Sequence, residues 1–243
     1  MDKMKIEIWS DIACPYCYIG KRKLEKALFQ FPEADNIELV WHSYELNPSL
    51  PKGISNKTYS QYLSEVEHAT EEEVQEKIRH IVELAEESGL TYNTDKINVT
   101  NTADALRMVK LADKYNLATQ AEEVLFKAYF TDGKNISDIE TLILLGNEIG
   151  IPRGDLSRML NTPEYSELIM DDMNKAENEL NLEYIPFYLL NNKQIVQGSI
   201  SVEDYLSVIE KAYTEWKLNG VAEEADKDNF IAGQSCSIDG VCS

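Results

Sequence analysis

The feature that most constrains this chain is a junction near its N-terminus. Residues 4 to 10, "MKIEIWS", alternate apolar and polar side chains with the period of two expected of a half-buried strand. Within five residues the period changes. From 15 to 29, Ile19, Leu24, Ala27 and Leu28 recur at helical spacing, with Lys21, Arg22, Lys23 and Lys26 between them. Strand and helix meet at Cys14-Pro15-Tyr16-Cys17. Proline suits a first helical turn, because its missing N–H would have no partner there.

The rest of the chain extends this beginning in three blocks. "NIELVWHSYEL" (36 to 46) reads as a second strand, with Ile37, Leu39, Trp41 and Ser43 on one face, and "NPSLPKG" (47 to 53) as a breaker-rich exit. From about 57 to 181 the apolar spacing is helical, with Thr, Asp or Ser cap candidates and stops at Gly or Asn. "IPFYLLNNKQIVQGS" (185 to 199) returns to strands, two apolar runs around Asn191-Asn192-Lys193. "SVEDYLSVIEKAYTEWK" (201 to 217) is an amphipathic helix headed by Ser201, with Glu203 and Asp204 in its first turn. The order β-α-β, helical block, β-β-α predicts an α/β thioredoxin-like fold interrupted by an inserted all-helical domain. The implied division is 1–56 with 182–219 as the discontinuous thioredoxin-like domain, 57–181 as the insertion, and 220–243 as a polar, loosely held tail.

Charge and cysteine usage narrow the function. With 23 Lys+Arg against 43 Asp+Glu, the formal net charge is −20. Such a surface repels nucleic acid and anionic lipid, so neither is an expected partner. The N-terminus has no continuous apolar run or small-residue cleavage site, which predicts a cytoplasmic protein. Four cysteines in 243 residues are too few to hold a coreless fold together, and they form two local pairs, Cys14 with Cys17 and Cys236 with Cys242.

Thiol–disulfide exchange needs an attacking thiolate and a second thiol near enough to release the mixed disulfide. The unpaired N–H groups and dipole of a helix N-terminus favour an anion there. Cys14 is therefore the expected attacker, exposed and of low pKa, and Cys17, one turn on, the resolving thiol. Asp11 is expected to cap the helix or to accept the Cys17 proton. Trp9 and Tyr44 are expected in the core, with a peptide groove as the alternative for them and for Tyr16.

"SDIACPYCYIGKRKLEKAL" together with "WHSYELNP" resembles the DsbA-like thioredoxin-fold oxidoreductases, most closely the cytoplasmic FrnE-type branch. The resemblance covers nearly the whole chain, insertion included. It implies catalysis by Cys14 and Cys17 without a bound cofactor, with glutathione as a candidate co-substrate, and thiols or disulfides of proteins or small molecules as partners. It also implies a cis-proline facing the cysteines, which maps onto Ile185-Pro186. That backbone would pair with a substrate segment, and Pro15 and Tyr16 would complete the binding surface. An X-Pro bond is where a cis peptide is affordable. The periplasmic DsbA enzymes carry Pro-His between the cysteines. Pro-Tyr here predicts a weaker oxidant than DsbA, whose potential is about −120 mV. Relatives that are glutathione-dependent isomerases carry serine at the first position, and that activity is the alternative function.

Two further readings concern the distant pair. All four sulfurs could bind zinc if the chain ends met, but a five-residue second spacing and Pro-Tyr before a helix favour redox chemistry. His42, His68 and His80 have no ligand spacing among themselves. "CSIDGVC" carries a turn signal at Asp239-Gly240. Similar C-terminal pairs occur in FrnE-type members, which supports a real Cys236–Cys242 pair. It can be a local clip, an accessory redox relay with Cys14 and Cys17, or two independent thiols.

Overall fold

The computed structural model describes residues 3–53, 55–227 and 230–242. A five-stranded sheet forms the centre. β1 (Met4–Ser10) pairs in parallel with β2 (Ile37–Ser43), Ile8 opposite Trp41, and antiparallel with β4 (Phe187–Leu190), Ile8 opposite Tyr188. β4 pairs antiparallel with β5 (Gln194–Gln197). Asn191 and Asn192, at φ 51° and 52°, make the turn, a conformation that asparagine tolerates well. The alternation read along the first strand holds at its start: Met4, Ile6 and Ile8 are buried and Lys5 is exposed. Burial of an Ile side chain contributes about 1.5–3 kcal/mol. Trp9 and Ser10 are buried as well, because β1 lies between two strands and is covered on both sides at its C-terminal end.

α1 (Pro15–Gln30) follows with Cys14 as N-cap and Pro15 in its first turn. It packs against α9 (Val202–Asn219), whose Ser201 side chain accepts from the Asp204 N–H as the sequence predicts. Gly20 is the reason α1 can lie close to the strands. A Cβ there would sit 2.4 Å from Tyr188 Oη and 3.2 Å from Pro186 Cγ.

The insertion between β2 and the returning strands holds α2 (Tyr59–Glu67), α3 (Glu71–Glu87), α4 (Ala103–Asp113), α5 (Ala118–Phe126), α6 (Ile139–Glu148), α7 (Arg153–Leu160) and α8 (Ser166–Asn174). The 57–89 run, continuous in apolar spacing, breaks where His68 turns left-handed at φ 52°. Thr70 then opens α3 with its own capping box, Thr70 to Glu73. The chain is thus a thioredoxin-like fold carrying an inserted helical domain.

A charged cluster fastens this insertion to the sheet. His42 on β2 lies between Glu7 Oε1 (3.0 Å) and Asp172 Oδ1 of α8 (2.7 Å), and its ring stacks on Trp9 with centroids 4.2 Å apart. Lys175 reaches Glu7 at 2.7 Å and Lys110 pairs with Asp172. Burial works to raise the Glu7 pKa, but hydrogen bonds from His42 and Lys175 outweigh it and hold the carboxyl at about 2, against 4.5. Burial works to lower that of His42, and Asp172 and Glu7 outweigh it upward from 6.5. The Glu7 contribution, on the order of 3 kcal/mol, is therefore complete above pH 4.5 and lost as pH falls towards 2. The His42 contribution is complete below pH 6.5 and lost as pH rises through its raised value. Thermal stability across pH should peak between those limits, and Glu7→Gln should flatten the acid limb; an unchanged acid limb would refute this account of the cluster.

The tail departs from expectation. Instead of hanging loose, it adds β6 (Phe230–Ala232), parallel to β5, and β7 (Cys236–Ser237), antiparallel to β3 (Tyr184–Ile185). Glycine makes this approach possible: a Cβ on Gly198, already at φ 87°, would lie 2.4 Å from the Gly233 carbonyl oxygen. Unpaired edge groups of β5 and β3 thus find backbone partners, which a polar composition does not advertise.

Candidate active site

Cys14 closes the segment that turns β1 into α1. Its N–H donates to the Asp11 carbonyl at 3.0 Å, and the Cys17 N–H donates to the Cys14 carbonyl at 3.2 Å. Asp11 itself does not cap the helix. Its carboxylate accepts from the Ala13 N–H (3.2 Å) and the Leu46 N–H (2.8 Å), tying the junction to the loop after β2. Burial lifts its pKa to about 6, the Leu46 N–H pulling the other way. The Cys17 thiol is pushed well above its ordinary value, by burial first and then by the neighbouring Cys14. A second buried acid, Glu122 of α5, is lifted by burial to about 8, with Lys21 acting against the shift.

The attacking thiol was expected to be exposed, and it is fully buried. The tail lies against it. Cys14 Sγ lies 3.5 Å from Cys236 Sγ and 3.8 Å from the Ile185 carbonyl oxygen. Cys236 is bonded to Cys242, while Cys14 and Cys17 are free thiols. With two of the four sulfurs bonded to each other, the arrangement is not a four-thiolate metal centre. Among the described residues no group of three or more His, Cys, Asp or Glu side chains could hold a metal. The cysteines form a redox-type site, two free thiols beside a disulfide.

The Ile185-Pro186 bond is cis. Ile185, whose backbone was expected to pair with a substrate segment, pairs with the chain's own Cys236, and Tyr184 pairs with Ser237. The Ile238 N–H extends the ladder to the Glu183 carbonyl at 3.0 Å. Pro15 and Tyr16, expected in a binding surface, are both buried, and the Pro15 carbonyl accepts from Tyr92 Oη at 2.7 Å. Burial lifts the Tyr16 pKa to about 12, with Cys14 and Glu67 adding to it. Trp9 and Tyr44 are buried as expected. Trp9 Nε1 donates to the Asp172 carbonyl at 3.0 Å and Tyr44 Oη to Glu177 at 2.9 Å.

The structure thus gathers Cys14, Cys17, Ile185, Pro186, Cys236 and Cys242 in one place. Sequence reasoning missed Glu67 at the end of α2 and Lys77 on α3, which hold the far end of the tail. The Cys242 N–H donates to Glu67 Oε1 at 3.2 Å, and Lys77 Nζ donates to the Cys242 carbonyl. No local motif marks them, since each lies in an ordinary amphipathic helix.

Comparison with known proteins agrees with this geometry. The family model described as "DSBA-like thioredoxin domain" matches residues 5–210. A probable DsbA oxidoreductase from Streptomyces coelicolor shares 28% identity and a TM-score of 0.82, covering 99% of this chain and 98% of that one. The cytosolic disulfide reductase DsbM from Pseudomonas aeruginosa, in a structure with GSH, has the same fold at 16% identity and a TM-score of 0.58, over 88% of this chain and 98% of its own. The uncharacterized protein YwbO of Bacillus subtilis (strain 168) is 24% identical over 213 residues, 86% of this chain and 96% of YwbO. A strand running into a helix that opens on two free thiols, with a cis-proline beside them, accords with the family match: the chain belongs to the DSBA-like thioredoxin domain family.

Proposed function

We propose that this protein is a cytoplasmic dithiol–disulfide oxidoreductase of the FrnE-type branch, in which Cys14 attacks, Cys17 resolves and Cys236–Cys242 is an internal relay. The observation that carries the reading is the 3.5 Å separation of Cys14 Sγ and Cys236 Sγ. The Cys14 thiolate attacks Cys236 Sγ. A Cys14–Cys236 bond forms, the Cys236–Cys242 bond breaks, and Cys242 leaves with the electron pair and takes a proton. Cys17, once deprotonated, attacks Cys14 Sγ and releases Cys236 as thiolate. Two electrons have then passed from the site to the tail, and a dithiol substrate re-reduces Cys14–Cys17. Run in reverse, the same steps reduce a client disulfide.

The client partners are disulfides and thiols of proteins or small molecules, glutathione among them. The net charge of −20 counts against nucleic acid and anionic lipid, and among the described residues no helix is long and apolar enough to cross a membrane. The cytosolic reductase that shares the fold supports the cytoplasmic assignment. Cysteine at position 14 favours this reading over a glutathione-dependent isomerase or transferase. We also propose the division 1–56 with 182–219, 57–181 and 220–243, with Pro15, Tyr16, Ile185 and Pro186 as the surface that receives a client once the tail withdraws.

Cys17→Ser tests the relay directly. Without a resolving thiol, acid quenching and non-reducing peptide mapping should recover a Cys14–Cys236 cross-link with Cys242 free. Recovery of intact Cys236–Cys242 alone, with Cys14 reduced, would defeat the proposal.

A further inference from the structure

The seven-residue ring Cys236–Cys242 is held at both ends, by different parts of the molecule. Cys236 is held by β3, through backbone pairing with Ile185. Cys242 is held by the helical insertion. Glu67 is the last residue of α2, and the left-handed turn at His68 folds α3 back so that Lys77 meets it at 2.5 Å. This pair reads both backbone groups of a single residue: Glu67 accepts the Cys242 N–H and Lys77 donates to its carbonyl. The Glu67 side chain is 5% exposed, so its charge is matched by Lys77 rather than by bulk water. The ring's apex packs on the same helix, Gly240 coming so close that a Cβ on it would lie 3.3 Å from Val66 Cγ1.

We propose that Glu67 and Lys77 are positioning residues, a latch on the Cys242 backbone that aims the tail disulfide at Cys14 and keeps the groove closed to other reagents. Because both contacts are to main-chain groups, the latch is indifferent to the state of the sulfur. When the Cys14–Cys236 bond forms and Cys242 departs as thiolate, Cys242 stays where Glu67 and Lys77 hold it. It is then in position to attack Cys236 on the reverse passage. The insertion thereby takes part in the exchange without touching a reacting atom. The exchange arm of this inference rests on the relay proposed above; the closure arm does not.

The two arms predict changes of opposite sign. In full-length Lys77→Met, transfer from the Cys236–Cys242 disulfide to Cys14–Cys17 should slow roughly tenfold, as expected when a charge-assisted hydrogen bond is lost. Alkylation of Cys14 by iodoacetamide, followed by peptide mapping, should quicken roughly tenfold, because the cover lifts more often. Lys77→Arg should bring both rates back towards the parent. Glu67→Gln, which keeps an acceptor for the Cys242 N–H, should move both rates in the same directions as Lys77→Met, but less. Unchanged alkylation in Lys77→Met, or a fall in both rates, would overturn the latch. Repeating the alkylation in a Cys236→Ser/Cys242→Ser background separates the two proposals. Faster alkylation there upholds the latch even if no tail-to-site exchange is found in any variant, and an equal rate refutes it.

Discussion

Cys14→Ser is expected to lose thiol–disulfide exchange by on the order of a thousandfold or more, with the fold retained. Serine is close in volume, but its hydroxyl neither ionises near neutral pH nor forms a disulfide, so the first covalent step disappears. Cys17 cannot take over, because it is buried and its thiol is held well above the ordinary pKa by burial and by its neighbour. Nor can the tail supply the missing nucleophile, since both of its sulfurs are already joined. The check is turnover of a disulfide-bonded protein with a thiol reductant, alongside circular dichroism to verify folding. Retention of more than about a tenth of the parent rate would move the reaction centre away from Cys14.

Cys236→Ser/Cys242→Ser should produce a split phenotype. Oxidation of a dithiol substrate is expected to fall roughly tenfold or more, because re-oxidation of Cys14–Cys17 loses a partner at 3.5 Å and must await a reagent from solution. Alkylation of Cys14 should rise over the same change. Opening a ring this small forfeits roughly 2 kcal/mol of chain-entropy stabilisation, felt mainly by the tail itself. Hydrogen exchange should therefore quicken at the Ile238 and Gly240 amides, which the structure bonds to Glu183 and Ser237, while the β1 amides stay protected. Parent-like turnover with the same reductant would reduce the tail pair to a structural clip.

Much of the scaffold was readable in the residues because it is local. Alternation in 4–10, helical spacing from Pro15 and the Asn191-Asn192 turn are each short patterns that the backbone alone converts into structure. Where local signals failed, two patterns were superposed. The 57–89 run looks continuous because α2 and α3 share an apolar period, yet Thr70 and Glu73 form a capping box that marks the break. α7 has no such mark, since it is eight residues long and opens at Pro152 without a side-chain cap.

The strand-to-helix junction and the thioredoxin-like order of elements, then, were written in the residues, as was the placing of Cys14 and Cys17 three apart where α1 begins. These follow from periodicity and from residues three apart on one helix. That Cys14 is buried, that the tail lies against it and which side chains bond the tail's far end came from the tertiary structure alone. Cys14 meets Cys236 across 222 residues of chain, and Glu67 and Lys77 meet Cys242 across 175 and 165. The contacts that bring the tail there are made largely through backbone N–H and C=O groups, which every residue but proline carries alike. They leave no mark in residue type, so a polar, glycine-punctuated tail and a strand seated on Cys14 are written in the same letters.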